Sequence, residues 1–390
     1  MIRLGDIATV ITKGTTPTSL GYEFTDSGVN FIKIESIADD GSFIPQKFAH
    51  ISDECNEKLK RSQLQENDIL FSIAGAIGKT AIVTKDALPA NTNQALSIIR
   101  IPPNTINYRY LIYVLQSQFI SEQFEKQKQG VAQLNLSLKN ISDLKMPRIS
   151  KEKQLEIVEN LDKVENLIYS HKHQLKKFDE LVKARFVELF GDAENKIPIS
   201  EMCNVTGGYS FKSGDISNDG AIRILQIGNV YLDNVSWETT NYLPEGYDEK
   251  YSKFLLNKDD IVIALTRPII QSLGNVKACI VKSSDLPCLL NQRVGRIFAK
   301  NKEKVFLEYI YGCLMTDDFS RYVESCSIGC SQPNISTKDI ENYLIPNATY
   351  EKQKVYVDFK KQIDKSKFEV QQSLEKLEIL KKSLMQQYFG

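Results

Sequence analysis

At 390 residues, 42% of them hydrophobic, the chain is long enough for two or three domains with cores of their own. Its 49 Lys and Arg match 49 Asp and Glu, so bulk charge favours neither a nucleic acid nor a membrane surface. No apolar run approaches the roughly 18 residues needed to cross a bilayer, and Met1 to Asp6 carries no signal-peptide core, so a cytoplasmic protein without membrane contact is expected.

The chain opens on Ile2-Arg3-Leu4-Gly5-Asp6-Ile7, an apolar alternation that predicts a short strand leading into a turn. The polar loop from Ile11 through Lys13, Gly14, Thr15 and Thr16 to Pro17 offers backbone N–H groups and hydroxyls. These suit phosphate oxygens, and equally an ordinary surface turn. Phe31 to Ile37 alternates like a strand with one polar face, bearing Lys33 and Ser36, and Asn67-Asp68-Ile69-Leu70-Phe71-Ser72-Ile73 reads as an acidic turn feeding a buried strand. Gly75-Ala76-Ile77-Gly78-Lys79-Thr80 has the look of a phosphate-cradling loop. Its first glycine would have to fall at Ile73, however, and no helical run follows, so ATP or GTP binding is not expected. Strands at Ala81 to Val83 and, after Asn93-Gln94, at Ala95 to Ile101 lead to short helices around Tyr108 to Phe124. A polar loop from Gly130 to Ser137, with the amides of Gln133 and Asn135, precedes an exit strand at Ile141 to Pro147.

The same order then recurs. Ile197 to Met202 repeats the opening, and Val205 to Phe211, including Tyr209, repeats the polar loop. Ile222 to Val230, with Gln226 and Asn229, repeats the alternating strand, and Asp259 to Leu265 repeats the acidic turn and buried strand. Thr266 to Gln271, with Arg267, diverges from Gly75 to Thr80. Val276 to Val281, Asn291-Gln292, the strand from Arg293 to Ala299, helices around Leu307 to Val323, the loop Gly329 to Ser336 with Gln332 and Asn334, and the exit Ile340 to Pro346 then restore the match.

Each half ends in a long charged segment. Lys151 to Gly191 contains no Pro and reaches its first Gly at its last position. A heptad register from Gln154 puts Leu161, Ile168, Leu175, Val182 and Leu189 on one row and Ile157, Val164 and Phe178 on the other, with His171 and Arg185 interrupting. That is a coiled-coil seam. A helix of this length rises roughly 60 Å and acts as a spacer. Glu152-Lys153-Gln154 recurs as Glu351-Lys352-Gln353 and Phe190-Gly191 as Phe389-Gly390, all 199 residues on. There Tyr356, Ile363, Val370, Leu377 and Leu384 form one row, while the other keeps only Leu374 and Tyr388 among Lys360, Lys367 and Lys381. A lone helix of this kind is marginal in water, so the two copies are expected to bury their stripes against each other, and an antiparallel packing would put the globular segments at opposite ends; amphipathic helices within one compact domain are the alternative.

Catalytic patterns are missing. The one Pro-Pro, in Ile101-Pro102-Pro103-Asn104, is not the tetrapeptide of DNA amino-methyltransferases. The three His residues suggest no triad, and the seven Cys, at 55, 203, 279, 288, 313, 326 and 330, form no C-x-x-C pair and are expected to be reduced, with no metal bound. No enzyme and no resident cofactor are expected.

Nearly the whole chain resembles the DNA-specificity subunits of type I restriction-modification systems. The resemblance rests on layout and on ordered local pattern: Asp68-Ile69-Leu70-Phe71 followed by Gly75 and Gly78, Asn93-Gln94, the Gly329 to Ser336 loop, the Pro147 and Pro346 exits, and Glu-Lys-Gln opening both helices. It implies an α/β (α+β) fold: two similar target-recognition domains with twisted mixed β-sheets, at 1–150 and 192–349, separated by two long antiparallel coiled-coil helices at 151–191 and 350–390, in a pseudo-two-fold internal duplication. It also implies that each domain reads one half of an asymmetric split target in double-stranded DNA. The helices would set the gap and dock modification subunits, two of them by the quasi-equivalence of the ends, and a restriction and translocation subunit would join them. S-adenosylmethionine, ATP and Mg would sit on those partners. The DNA contacts expected are Lys13, Thr15, Lys33, Ser36, Lys79, Thr80, Asn93, Gln94, Gln133 and Asn135 in the first domain. In the second they are Tyr209, Lys212, Gln226, Asn229, Arg267, Gln271, Asn291, Gln292, Arg293, Gln332 and Asn334. A non-enzymatic two-domain protein-binding scaffold is the competing reading.

Overall fold

The computed structural model describes residues 1–125, 135–270, 274–326 and 334–390. Gln133, Gln271, Gln332 and Cys330 lie outside them. The chain divides into two compact units, one of Met1–Lys172 with Gln372–Gly390, the other of His173–Gln371.

In the first unit Val10–Lys13, Leu96–Arg100, Ile69–Ser72 and Thr80–Ile82 form an antiparallel sheet in that order, and Ala49–Ile51, Val29–Ile32 and Ala90–Thr92 form a mixed one whose last two strands run parallel. Both faces of the antiparallel sheet are covered. Ile69, Phe71 and Ile99 point into a core shared with the helix Tyr108–Gln116, whereas Leu70, Leu96 and Ile98 point into a second core behind it. Such two-sided burial explains why Ile69-Leu70-Phe71 is apolar without alternation.

The second unit repeats both sheets, with Cys203–Gly207, Val294–Ala299, Ile261–Ala264 and Ala278–Ile280 in the antiparallel one and Asn241–Leu243, Ile222–Leu225 and Cys288–Leu290 in the mixed one, and adds a two-stranded sheet of Ile269–Ile270 and Asn275–Val276. Ile261 and Ile263 face one core and Val262 the other. Buried carboxylates repeat too: Asp68 pairs with Arg100 at 2.6 Å and Asp260 with Arg296 at 2.7 Å, each after a residue at positive φ, Asn67 or Asp259.

Several predicted strands are shorter than expected. Ile2–Arg3 and Lys196–Pro198 are strands, but Leu4–Ile7 and Ile199–Met202 are helical turns; the two short strands pair with the exit strands Lys145–Met146 and Leu344–Pro346. The strand predicted over Phe31 to Ile37 stops at Ile32. Ser36 Oγ accepts from Lys33 N and closes a 3₁₀ turn, as Asn229 Oδ1 does from Gln226 N. Each predicted short helix is likewise two, Tyr108–Gln116 then Gln118–Glu125, and Leu307–Leu314 then Asp317–Cys326.

The long helices run Lys151–Phe190 and Tyr350–Phe389. Every apolar residue on the predicted seam is at least half-buried: Ile157, Leu161, Val164 and Leu374 are buried, as is Tyr356, and Ile168, Leu175, Phe178, Val182, Ile363, Val370, Leu377 and Leu384 are intermediate. The helices are antiparallel within each unit. In the first, Asn160 donates to Tyr388 Oη at 3.0 Å and Lys381 meets Glu165 at 2.7 Å; in the second, Lys367 meets Asp179 at 2.6 Å. Of the lysines that break the second helix's seam, Lys367 and Lys381 therefore lay their stems along it and carry their charge to an acid of the other helix, while Lys360 pairs with Asp364 of its own helix at 2.6 Å.

The repeated Glu-Lys-Gln now has a cause. Gln154 is buried, accepts from Asn107 N at 2.9 Å and donates to Ile149 O, while Gln353 does the same with Phe306 N and Ala348 O. At the far ends Phe389 packs on Tyr110 at 5.7 Å and Phe190 on Tyr309 at 4.9 Å. Docking of the short helix differs in sign between the units: Arg109 pairs with Asp162 in the first, and Glu308 with Lys361 in the second. Exchanging the charges opposes docking of either short helix on the wrong repeat.

One duplicated pair is unequal. Tyr309 donates to Pro346 O, whereas the hydroxyl of Tyr110 is buried without a partner among the described residues. Tyr309→Phe should thus cost about 1 kcal/mol and Tyr110→Phe nothing, or stabilise slightly. Urea unfolding followed by hydrogen exchange in each unit checks this, and an equal loss at both positions would count against it.

Candidate nucleic-acid interface

In each unit the polar residues gather where the two parallel strands end. Ile32 pairs with Thr92, so Lys33 and Asn93 leave the sheet side by side; Leu225 pairs with Leu290, leaving Gln226 beside Asn291. The polar loop after the first sheet strand folds onto the same place. Gly14 N donates to Asn93 O at 3.1 Å, and a Cβ on Gly14 would lie 1.8 Å from Thr92 O. Gly208 makes the same approach, 2.1 Å from Asn291 O. Only glycine lets the loop close there, and the closure brings Lys13, Thr15, Asn93 and Gln94 together in the first unit and Tyr209, Asn291 and Gln292 in the second. Asn135 and Asn334 join from the opposite side, since Leu136 N donates to Ile73 O and Ile335 N to Leu265 O.

In the second unit the gathering forms two adjoining clefts. One, of about 420 Å³, is lined by Gln226, Asn229, Asn291, Gln292 and Arg293 with Phe211 and Thr239. The other, of about 430 Å³, is lined by Thr266, Arg267, Lys277 and Arg293, and Ile227-Gly228 borders both. Lys212 is exposed beyond them. Tyr209 stands in an aromatic group with Tyr251 at 4.7 Å and Phe254 at 5.2 Å, and its hydrogen bond with Tyr251 raises its hydroxyl above the usual phenol value.

Other expected contacts are occupied internally. Ser36 and Asn229 are buried caps, with Ser36 Oγ donating to Lys47 O and Asn229 Nδ2 to Ser236 O and Thr239 O. Thr80 is buried and accepts from Gln116 Nε2 at 2.8 Å. These three are almost wholly buried and shape the loops from beneath, Asn229 within the lining of the first cleft. Lys79 is held by Asp39 at 2.9 Å and by Ile37 O, and Lys33 lies over the Phe24 ring at 4.4 Å. Asn93 and Asn291 each use Oδ1 to cap their own turn. Thr16, Thr266 and Lys277 were missed by sequence reasoning. Thr16 donates to Gln94 Oε1, and the signal for Lys277 was available, because it is the charged residue that opens the strand paired with Ile261–Ala264.

Among the described residues no three His, Cys, Asp or Glu are grouped to hold a metal, and no helix is long and apolar enough to cross a membrane. Residues 1–178 and 193–380 each match the type I restriction modification DNA specificity domain. The chain is 29% identical to the type I restriction enzyme MjaVIII specificity subunit of Methanocaldococcus jannaschii, over 99% of this chain and 90% of that one. It is 30% identical to the EcoAI specificity subunit of Escherichia coli over 46% of this chain and 31% of that protein. Among solved structures, the S subunit of a type I restriction-modification system from M. genitalium superposes with a TM-score of 0.54 at 15% identity, covering all of this chain and 95% of that one. A chain from a study of the assembly and conformational transition of the type I system superposes at 0.59 and 14%, covering 100% and 96%.

Proposed function

The chain belongs to the type I restriction-modification DNA-specificity family, and we propose that it is the non-catalytic address of such a complex, each domain reading one half of a bipartite, asymmetric target in double-stranded DNA. The observation that carries this is a framework duplicated strand for strand whose strand-end loops differ: Lys33 and Ala95 in one unit are Gln226 and Arg293 in the other. Equal frameworks give equal docking, and unequal side chains give unequal half-sites. On this reading the long helices fix the gap and dock modification subunits, two of them, and a restriction subunit completes the complex in the cytoplasm. S-adenosylmethionine, ATP and Mg act on those partners. A forty-residue helix rises roughly 60 Å, enough to hold two readers about one duplex turn, roughly 34 Å, apart.

Sequencing the DNA methylated in cells that express this chain with its neighbouring modification subunit tests the reading. A split asymmetric motif with a fixed gap is expected, and deleting one heptad from both helices should change that gap while leaving the half-sites intact. Absence of any such motif, together with no salt-sensitive DNA binding by the purified chain, would move the function to a protein-binding scaffold.

A further inference from the structure

The two units share a framework but differ in the charge around it. Resting on the DNA-recognition reading above, we propose that the duplex is gripped mainly by the second domain, through an acid-free cationic groove of Arg267, Lys277 and Arg293, with Arg293 reading a guanine.

The three cations occupy neighbouring rungs at one strand end. Ala264 N donates to Lys277 O and Leu265 N to Arg293 O, both at 2.9 Å, while Arg267, at φ 47°, turns the chain outward two residues later. Lys277 N donates to Pro268 O, which holds the two loops together. Arg267 and Arg293 are exposed and Lys277 is partly so; among the described residues none of the three has an ion-pair partner and no carboxylate lines either cleft.

The same rungs of the first domain tell a different story. Ser72 N donates to Lys79 O and Ile73 N to Ala95 O, so Lys79 and Ala95 stand for Lys277 and Arg293, and Gly75 stands for Arg267. Lys79 already pairs with Asp39 at 2.9 Å. The turn Ile34-Glu35-Ser36 puts exposed Glu35 where Ile227-Gly228-Asn229 has Gly228, so the first domain carries an acid at the position that borders both clefts in the second.

Unpaired cations on a duplex release counterions, each phosphate neutralised adding roughly 0.9 to the salt slope, whereas a paired lysine beside a second acid adds little. An arginine fork matches O6 and N7 of guanine in the major groove. Arg293 borders both clefts, beside Gln226 and Gln292 on one side and Arg267 and Lys277 on the other, and so stands between amides suited to base edges and cations suited to phosphates.

The test is binding of the full chain to labelled duplex DNA, by anisotropy, between about 50 and 200 mM salt. The double variant Arg267→Ala, Lys277→Ala should lower the log–log salt slope by about 2 and weaken binding at least about tenfold. Gly228→Glu should weaken it comparably without disturbing the fold, because a Cβ there meets nothing within 4 Å. Glu35→Gln should not weaken it, nor should Lys79→Ala. An unchanged slope in the double variant, with the parent chain binding, overturns the groove and leaves DNA recognition standing; no binding by the parent chain overturns both. In the methylation assay Arg293→Ala should relax one guanine position in one half-site, and an unchanged motif overturns that assignment.

Discussion

Asp260→Ala should destabilise the second domain by about 3–5 kcal/mol, because it strands a charge rather than removing a bond. The Asp260 carboxylate is buried, accepts from Asn257 N at 2.7 Å and faces an Arg296 whose side chain is only 10% exposed. After the substitution Arg296 keeps one carbonyl, Leu255 O at 3.1 Å, and the face of the Phe298 ring. Replacing both partners together, Asp260→Leu with Arg296→Met, removes the stranded charge and should recover most of the loss. The repeat supplies an internal control: the Arg100 side chain opposite Asp68 is 26% exposed, so water can solvate it, and Asp68→Ala should cost less. Domain-resolved hydrogen exchange under urea measures both, and equal losses, or no recovery in the double variant, would refute the account.

Phe389→Ala should cost the first unit about 3–5 kcal/mol and leave the second unchanged, and Phe190→Ala should do the reverse. Phe389 belongs to the core that contains Leu4, Tyr110 and Leu161; Phe190 belongs to the one that contains Ile199, Tyr309 and Tyr356. Loss of protection in the wrong unit would show that the partition of the helix ends is incorrect.

Both long helices were legible in the sequence, since a seam of apolar residues at heptad spacing has few other outcomes, and the duplication was legible because buried positions such as Asp68 and Asp260 tolerate little change of type. Strand ends were not, because Ile34 and Ile227 continue an apolar alternation that a single side-chain cap interrupts. The same ambiguity extends to side chains: a polar residue in a turn looks alike whether it caps the backbone, as Ser36 and Asn229 do, or is exposed, as Gln94 and Gln292 are. The clefts of the second unit could not be read at all. The walls of the second cleft come from four stretches that are ten or more residues apart in the chain, and only the sheet register brings Gly228, Arg267, Lys277 and Arg293 to one edge.

The division of the chain also sets an order of synthesis. The first unit begins to emerge from the ribosome first, yet its core takes in Leu384, Met385, Tyr388 and Phe389 from the far end of the chain. Residues His173–Gln371 have all their own partners earlier. Although domains generally form N-terminal first, the residues that complete the first unit's core follow in the chain those that complete the second's.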